Sequence, residues 1–135
     1  DAVQARRVGL PVIVGSGERV PSPGRAWGGE HLHAGLALIG WLAERGFDGP
    51  IEAYDVSQRD ARGRTRLVLR TAGGGRVVWG LPPGGEGAIE PMAERKLESV
   101  RYVGQVRGSI DAGGGVVDVT GAQIVVTPAG AATVR

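Results

Sequence analysis

The stretch "RTRLVLRTAGGGRVVWG", Arg64–Gly80, is the clearest hairpin in the chain. In an extended run successive side chains alternate between faces. Leu67 and Leu69 therefore share one face, and Arg66, Val68 and Arg70 share the other. "AGGG" supplies turn residues free to take positive φ. Arg76–Trp79 reads as the returning strand. A hairpin with an apolar face needs a cover, and helix-period patterns lie on both sides of it. Between Glu30 and Arg45, Leu32, Leu36, Ile39 and Leu42 recur at helical spacing, with Gly46 placed to cap the end. From Pro91 to about Gly104, Ala93, Leu97, Val100 and either Val103 or Tyr102 form a second stripe. Pro91 stands at its start, where a missing N–H is harmless.

The other strands follow from shorter signals. "VGLPVIVG" (Val8–Gly15) is apolar but holds a proline, which predicts an edge strand. Ser16–Gly29 is rich in Gly and Pro and reads as a surface loop. "PIEAYDVS" (Pro50–Ser57) sets Ile51 and Ala53, continued by Asp55, against Glu52, Tyr54 and Val56. Val116–Val119 and Ile124–Thr127 close the chain as two β-branched runs split by Thr120 and Gly121. The expected order is β, α, β, a β-hairpin, α, β, β. Strands outnumber helices and are mostly joined by hairpins, which predicts an α+β fold: a mixed or antiparallel sheet with two amphipathic helices packed on it. One domain over residues 1–135 is expected, with its core at about 8–127 and flanks at 1–7 and 128–135.

Composition excludes several classes. At 135 residues and 41% hydrophobic content, the chain can bury a core without metals or disulfides. Aromatics are 4%, so that core is aliphatic. The 25 glycines cluster between patterned runs and read as turns. Sixteen basic residues against 14 acidic ones give only +2, too small to argue for nucleic acid. No cysteine is present, so thiol chemistry is excluded. No run of 18 apolar residues and no signal peptide is visible. The chain starts at Asp1 rather than Met, which leads to the expectation of an excised domain.

Three groups of residues carry possible chemistry. Glu30, His31 and His33 are zinc-ligand types and would suit a small metal-assisted hydrolase. On a helix, however, His at i and i+2 point about 200° apart, and solvated histidines near a helix start explain them more simply. The acidic set Glu52, Asp55, Asp60, Asp111 and Asp118 offers no spacing that selects a catalytic pair. No nucleophile elbow, phosphate loop or dinucleotide fingerprint is present. The arginines Arg59, Arg62, Arg64, Arg66, Arg70 and Arg76 surround the hairpin, and alternation places Arg64, Arg66 and Arg70 on one face. An exposed face with long side chains lying over it ranks first, an acidic protein partner second and nucleic acid third. Apart from Trp79, the aromatics needed to stack bases are missing.

The closing run raises a different question. Gln123, Ile124, Val125, Val126 and Thr127 are uncharged and mostly β-branched, with Pro128 behind them. This is either an ordinary hairpin strand covered by the tail or a sheet edge that templates an added strand.

The ordered series "VGLPVIVG", "LHAGLALIGWLAERG", "IEAYDVS", "LVLRTAGGGRVVWG", "KLESVRYV" and "VVDVTGAQIVV" resembles the C-terminal β domain of the FtsQ/DivIB bacterial cell-division family over about residues 8–127. The resemblance implies a non-catalytic divisome scaffold without cofactor. It implies an extracytoplasmic (periplasmic) domain of a single-span inner-membrane parent, whose POTRA and membrane segments lie outside this chain. The implied partners are the FtsB/FtsL or DivIC/FtsL pair, bound chiefly by a strand added to the last strand of the sheet. On that basis Gln123–Thr127 is the expected docking edge. A basic residue before the hairpin strand is implied as a further contact, matching Arg64 first and Arg66 next.

Overall fold

The computed structural model describes residues 12–15, 29–87 and 89–129. The elements are β1 (Ile13–Val14), α1 (Glu30–Glu44), β2 (Ile51–Arg59), β3 (Thr65–Thr71), β4 (Arg76–Gly80), α2 (Ala93–Arg107), β5 (Val116–Asp118) and β6 (Val125–Thr127). They form one six-stranded sheet in the order β1-β2-β3-β4-β5-β6. β1 runs parallel to β2 and β4 parallel to β5, while the other neighbours are antiparallel. The fold is α+β with a mixed, open sheet, and β6, the last strand among the described residues, lies at its edge.

Topology places both helices. Each parallel pair is joined through one helix, and both crossovers move the same way along the sheet from strands of the same direction. Right-handed crossovers then put α1 and α2 on one face. A single core results, in which Ala34, Leu38 and Leu42 of α1 and Leu97, Val100 and Val103 of α2 meet Leu67, Leu69, Val77, Trp79 and Val117 of the sheet. Arg45 ties the helices together, bonding Glu94 at 3.0 Å through Nη2 while its carbonyl accepts from Arg101.

The hairpin alternates as expected, with Leu67 and Leu69 buried beneath the helices. The α2 stripe of Ala93, Leu97, Val100 and Val103 is also buried; Tyr102, its alternative, is exposed. α2 begins at Ala93, two residues beyond Pro91, and its Gly108 cap is left-handed. The α1 stripe differs from the expected one. Ala34, Gly35, Leu38 and Leu42 are buried, and Leu36 is 51% exposed. α1 is apolar around much of its circumference, so spacing alone admitted two registers. Gly35 selects the real one, because a Cβ there would lie 2.9 Å from Val56 Cγ1. Gly35→Val is expected to lower stability by about 1–3 kcal/mol through overpacking. Gly40→Ala, on the same helix in open space, should raise it by about 0.5–1 kcal/mol. Urea denaturation of both variants checks the pair.

β2 also departs from simple alternation. Register shifts between Ile51 and Ala53, and again between Asp55 and Gln58, mark bulges. From Ala53 to Val56 the expected alternation holds, with Tyr54 and Val56 towards the helices and Ala53 and Asp55 pairing with Arg70 and Val68 on the other face, whereas Ile51, before the first bulge, packs on the core with Tyr54. The predicted edge strand Val8–Gly15 is described only from residue 12, where β1 is indeed at the sheet's edge. Flank 1–7 and residues 130–135 lie outside the described residues.

Candidate functional site at the edge of the sheet

β6 pairs only with β5 among the described residues, so its outer side is the sheet's margin. Two hydrogen bonds fix which of its groups face outward. Arg76 N–H donates to Gly115 C=O at 2.9 Å, and Val119 N–H donates to Val78 C=O at 3.1 Å. Peptide groups along a strand alternate in direction, so odd-numbered residues of β5 face β4 and Val116 and Asp118 face β6. Their register partners are Thr127 and Val125. In an antiparallel ladder such opposed pairs exchange both bonds. Val125 and Thr127 are therefore committed to β5, and the N–H and C=O of Val126 point outward. The side chains take the opposite sense. Val126 and Ile124 pack against the core, whereas Val125 is 58% exposed on the helix-free face. Gln123 and Ile124 precede the regular strand, which spans three of the five expected residues.

The loop leading into β6 is pinned by Asp118. Its Oδ1 accepts from Thr120 N–H at 2.8 Å and Thr120 Oγ at 2.6 Å, and its Oδ2 accepts from Arg66 Nη2 at 3.3 Å. Arg66 is thus coupled to the row that ends at Val125. Arg64 is not. It lies in the β2–β3 turn, where its Nε meets Asp60 Oδ2 at 2.9 Å and its N–H bonds Asp60 Oδ1. Its side chain lines a cavity of about 330 Å³ with Glu30, His33 and Thr65. The expectation that Arg64, Arg66 and Arg70 share one face fails for Arg64, because strand alternation begins only at Thr65.

The other candidates are distributed. His31 Nδ1 lies 2.5 Å from Thr65 Oγ1, while the His33 side chain opens into the cavity just described. Among the described residues no group of three His, Cys, Asp or Glu side chains is placed to hold a metal ion. Asp55 is answered by Arg70, whose Nη2 lies 2.6 Å from Oδ2. Burial alone would raise the Asp55 carboxyl, but hydrogen bonds from Ser57 and the Arg70 guanidinium outweigh it and hold it below the ordinary carboxylate value. Asp111 is buried beneath the β3–β4 turn and accepts from Thr71 Oγ1 at 2.5 Å and Ser109 Oγ at 2.8 Å. Burial pushes this carboxyl up too, and the two hydroxyls bring it below the ordinary value.

Both carboxyls bind protons less readily in the folded state than in the unfolded one. Their stabilisation is full above the unfolded value near 3.8, and it fades as pH falls through the lower folded values. Asp111→Asn is expected to flatten the loss of stability below that point, measured by denaturant melts across acidic pH. An unchanged slope would remove Asp111 from the account.

No helix among the described residues is long and apolar enough to cross a membrane. The chain matches no protein-family model, no curated protein and no solved structure.

Proposed function

We propose that this chain is a non-catalytic docking domain that receives an extended strand of a protein partner along the outer side of β6. The observation that carries the reading is the outward N–H and C=O of Val126 on a terminal, uncharged edge strand. Natural sheets blunt such edges with charged residues or inward-pointing charges. Here Ile124–Thr127 carries none, and the chain stops the pairing only at Pro128. Backbone bonds would supply much of the affinity, with the exposed Val125 side chain adding selectivity.

The order of elements and the edge position of the last strand are also what the resemblance to the FtsQ/DivIB β domain implies. On that reading the parent is a single-span protein of the inner membrane, this domain lies on its periplasmic side, and the partner belongs to the FtsB/FtsL or DivIC/FtsL class. Arg66, braced on Asp118 beside the edge row, is the better placed of the two arginines to contribute a contact.

Amide hydrogen exchange tests the proposal. Val125 and Thr127 should be protected in the free domain and Val126 should exchange fast. Adding an FtsB-like fragment should then slow Val126. A Val126 amide already protected in the free domain would mean that the edge is covered, and the docking reading would fall.

A further inference from the structure

The sheet face turned away from the helices holds a second feature, independent of the β6 edge. Two carboxylates on this face answer two arginines, Asp55 with Arg70 and Asp118 with Arg66. Arg76 is left over. It is exposed, and its side chain has no ion-pair or hydrogen-bond partner among the described residues. It also sits directly across the β3–β4 ladder from Arg70. Like charges placed opposite each other on a sheet are unfavourable, and Asp55 beside Arg70 and Glu52, which lines a neighbouring hollow with both arginines, offset only part of that repulsion.

Beside Arg76 the face sinks into a hollow of about 150 Å³, lined by Val68, Val78 and Val116 together with Arg66, Gln58 and Asp55, whose charge is already answered by Arg70. Water takes about 30 Å³ per molecule in the liquid, so the hollow has room for one side chain of moderate size. The combination selects a ligand. An inorganic anion would satisfy the arginines and leave the valines wet. Nucleic acid would need rings to stack on, and among the described residues the aromatic side chains nearest the sheet, Tyr54 and Trp79, lie on the helix side. A glutamate side chain suits both parts, its methylenes over the valines and its carboxylate at Arg76.

We infer that this hollow is a second docking site, which takes an acidic side chain from an extended segment of a protein partner through Arg76. The site uses neither the free groups of β6 nor its strand pairing.

The test is a titration of the isotopically labelled domain, followed by amide shifts, with a short capped peptide of alternating Glu and Val. The same peptide with Gln for Glu serves as control, and inorganic phosphate is titrated separately. Shifts should centre on Val68, Val78 and Val116 and need the Glu form. Arg76→Gln should weaken binding about threefold, the scale of one exposed ion pair, and Arg76→Glu about tenfold. Neither variant should lose stability, since each relieves the contact with Arg70. Val126→Pro should leave this binding unchanged. Equal binding of the Gln peptide, or equal shifts with phosphate alone, would overturn the inference. So would shifts confined to Val125–Thr127, although that result would support the strand-docking proposal.

Discussion

Glu90→Ala is expected to cost about 3–5 kcal/mol, because it strands a buried charge. The only lysine of the chain, Lys96, is 0% exposed. Its Nζ lies 2.5 Å from Glu90 Oε1 and 3.3 Å from Leu81 C=O, with the Trp79 ring centroid 5.6 Å away. The same Glu90 oxygen accepts from Leu81 N–H at 3.0 Å. One carboxylate thus satisfies an ammonium and a backbone donor, and it fastens the segment after β4 to the start of α2. Removing it leaves both donors unmet where water does not reach. The pair itself need not be net stabilising, since two charges were taken out of water to make it. Lys96→Met combined with Glu90→Gln should therefore recover most of the loss, to within about 1–2 kcal/mol of the parent. Urea melts followed by tryptophan fluorescence read both variants. If Glu90→Ala stayed within about 1 kcal/mol of the parent, Lys96 must relax to solvent and the clasp would carry little of the fold.

Lys96 also shows where reading from sequence stops. Apolar period located both helices, and alternation located the hairpin and its faces. Those are local signals, and the buried positions of α2 that they name are Ala93, Leu97, Val100 and Val103. A lysine within the same stripe looks like a solvated residue until its partner is known, and Glu90 lies in a loop with no pattern of its own. The β2 bulges were hidden for a similar reason. They shift the β2–β3 register, and Asp55 meets Arg70 across it, a contact between strands that no window on either strand contains. The sheet edge was legible only as a choice. Composition showed that Gln123–Thr127 was uncharged and β-branched, but its place at the margin depends on the order of strands. Arg64 ranked ahead of Arg66 in "GRTR", and only their partners, Asp60 and Asp118, show that the two stand in different places.

Strand order and register make the edge testable at single-residue resolution. Val126→Pro should cost the fold no more than about 1 kcal/mol, because the lost N–H points away from β5 and the proline ring replaces part of the half-buried Val126 packing on the core. Its φ is compatible with an extended strand, and Val125 before it is already extended, as proline requires. Partner binding should fall by about two orders of magnitude or more, through a lost backbone bond and the ring in the path of the incoming strand. Val125→Pro should do the reverse. It breaks a β5–β6 bond and orphans the Asp118 carbonyl, at a cost of about 1–2 kcal/mol, while the outward groups of Val126 remain. The two variants differ by one position and exchange stability for binding because peptide groups alternate along a strand. Stability is read from denaturant melts and binding from titration with an FtsB-like fragment. If Val126→Pro destabilises the domain as much as Val125→Pro does, another segment already pairs with the outer side of β6. The strand is then internal, and the proposed docking edge is lost. If both variants bind as the parent does, the partner uses no backbone of β6, and the hollow at Arg76 becomes the surface to pursue.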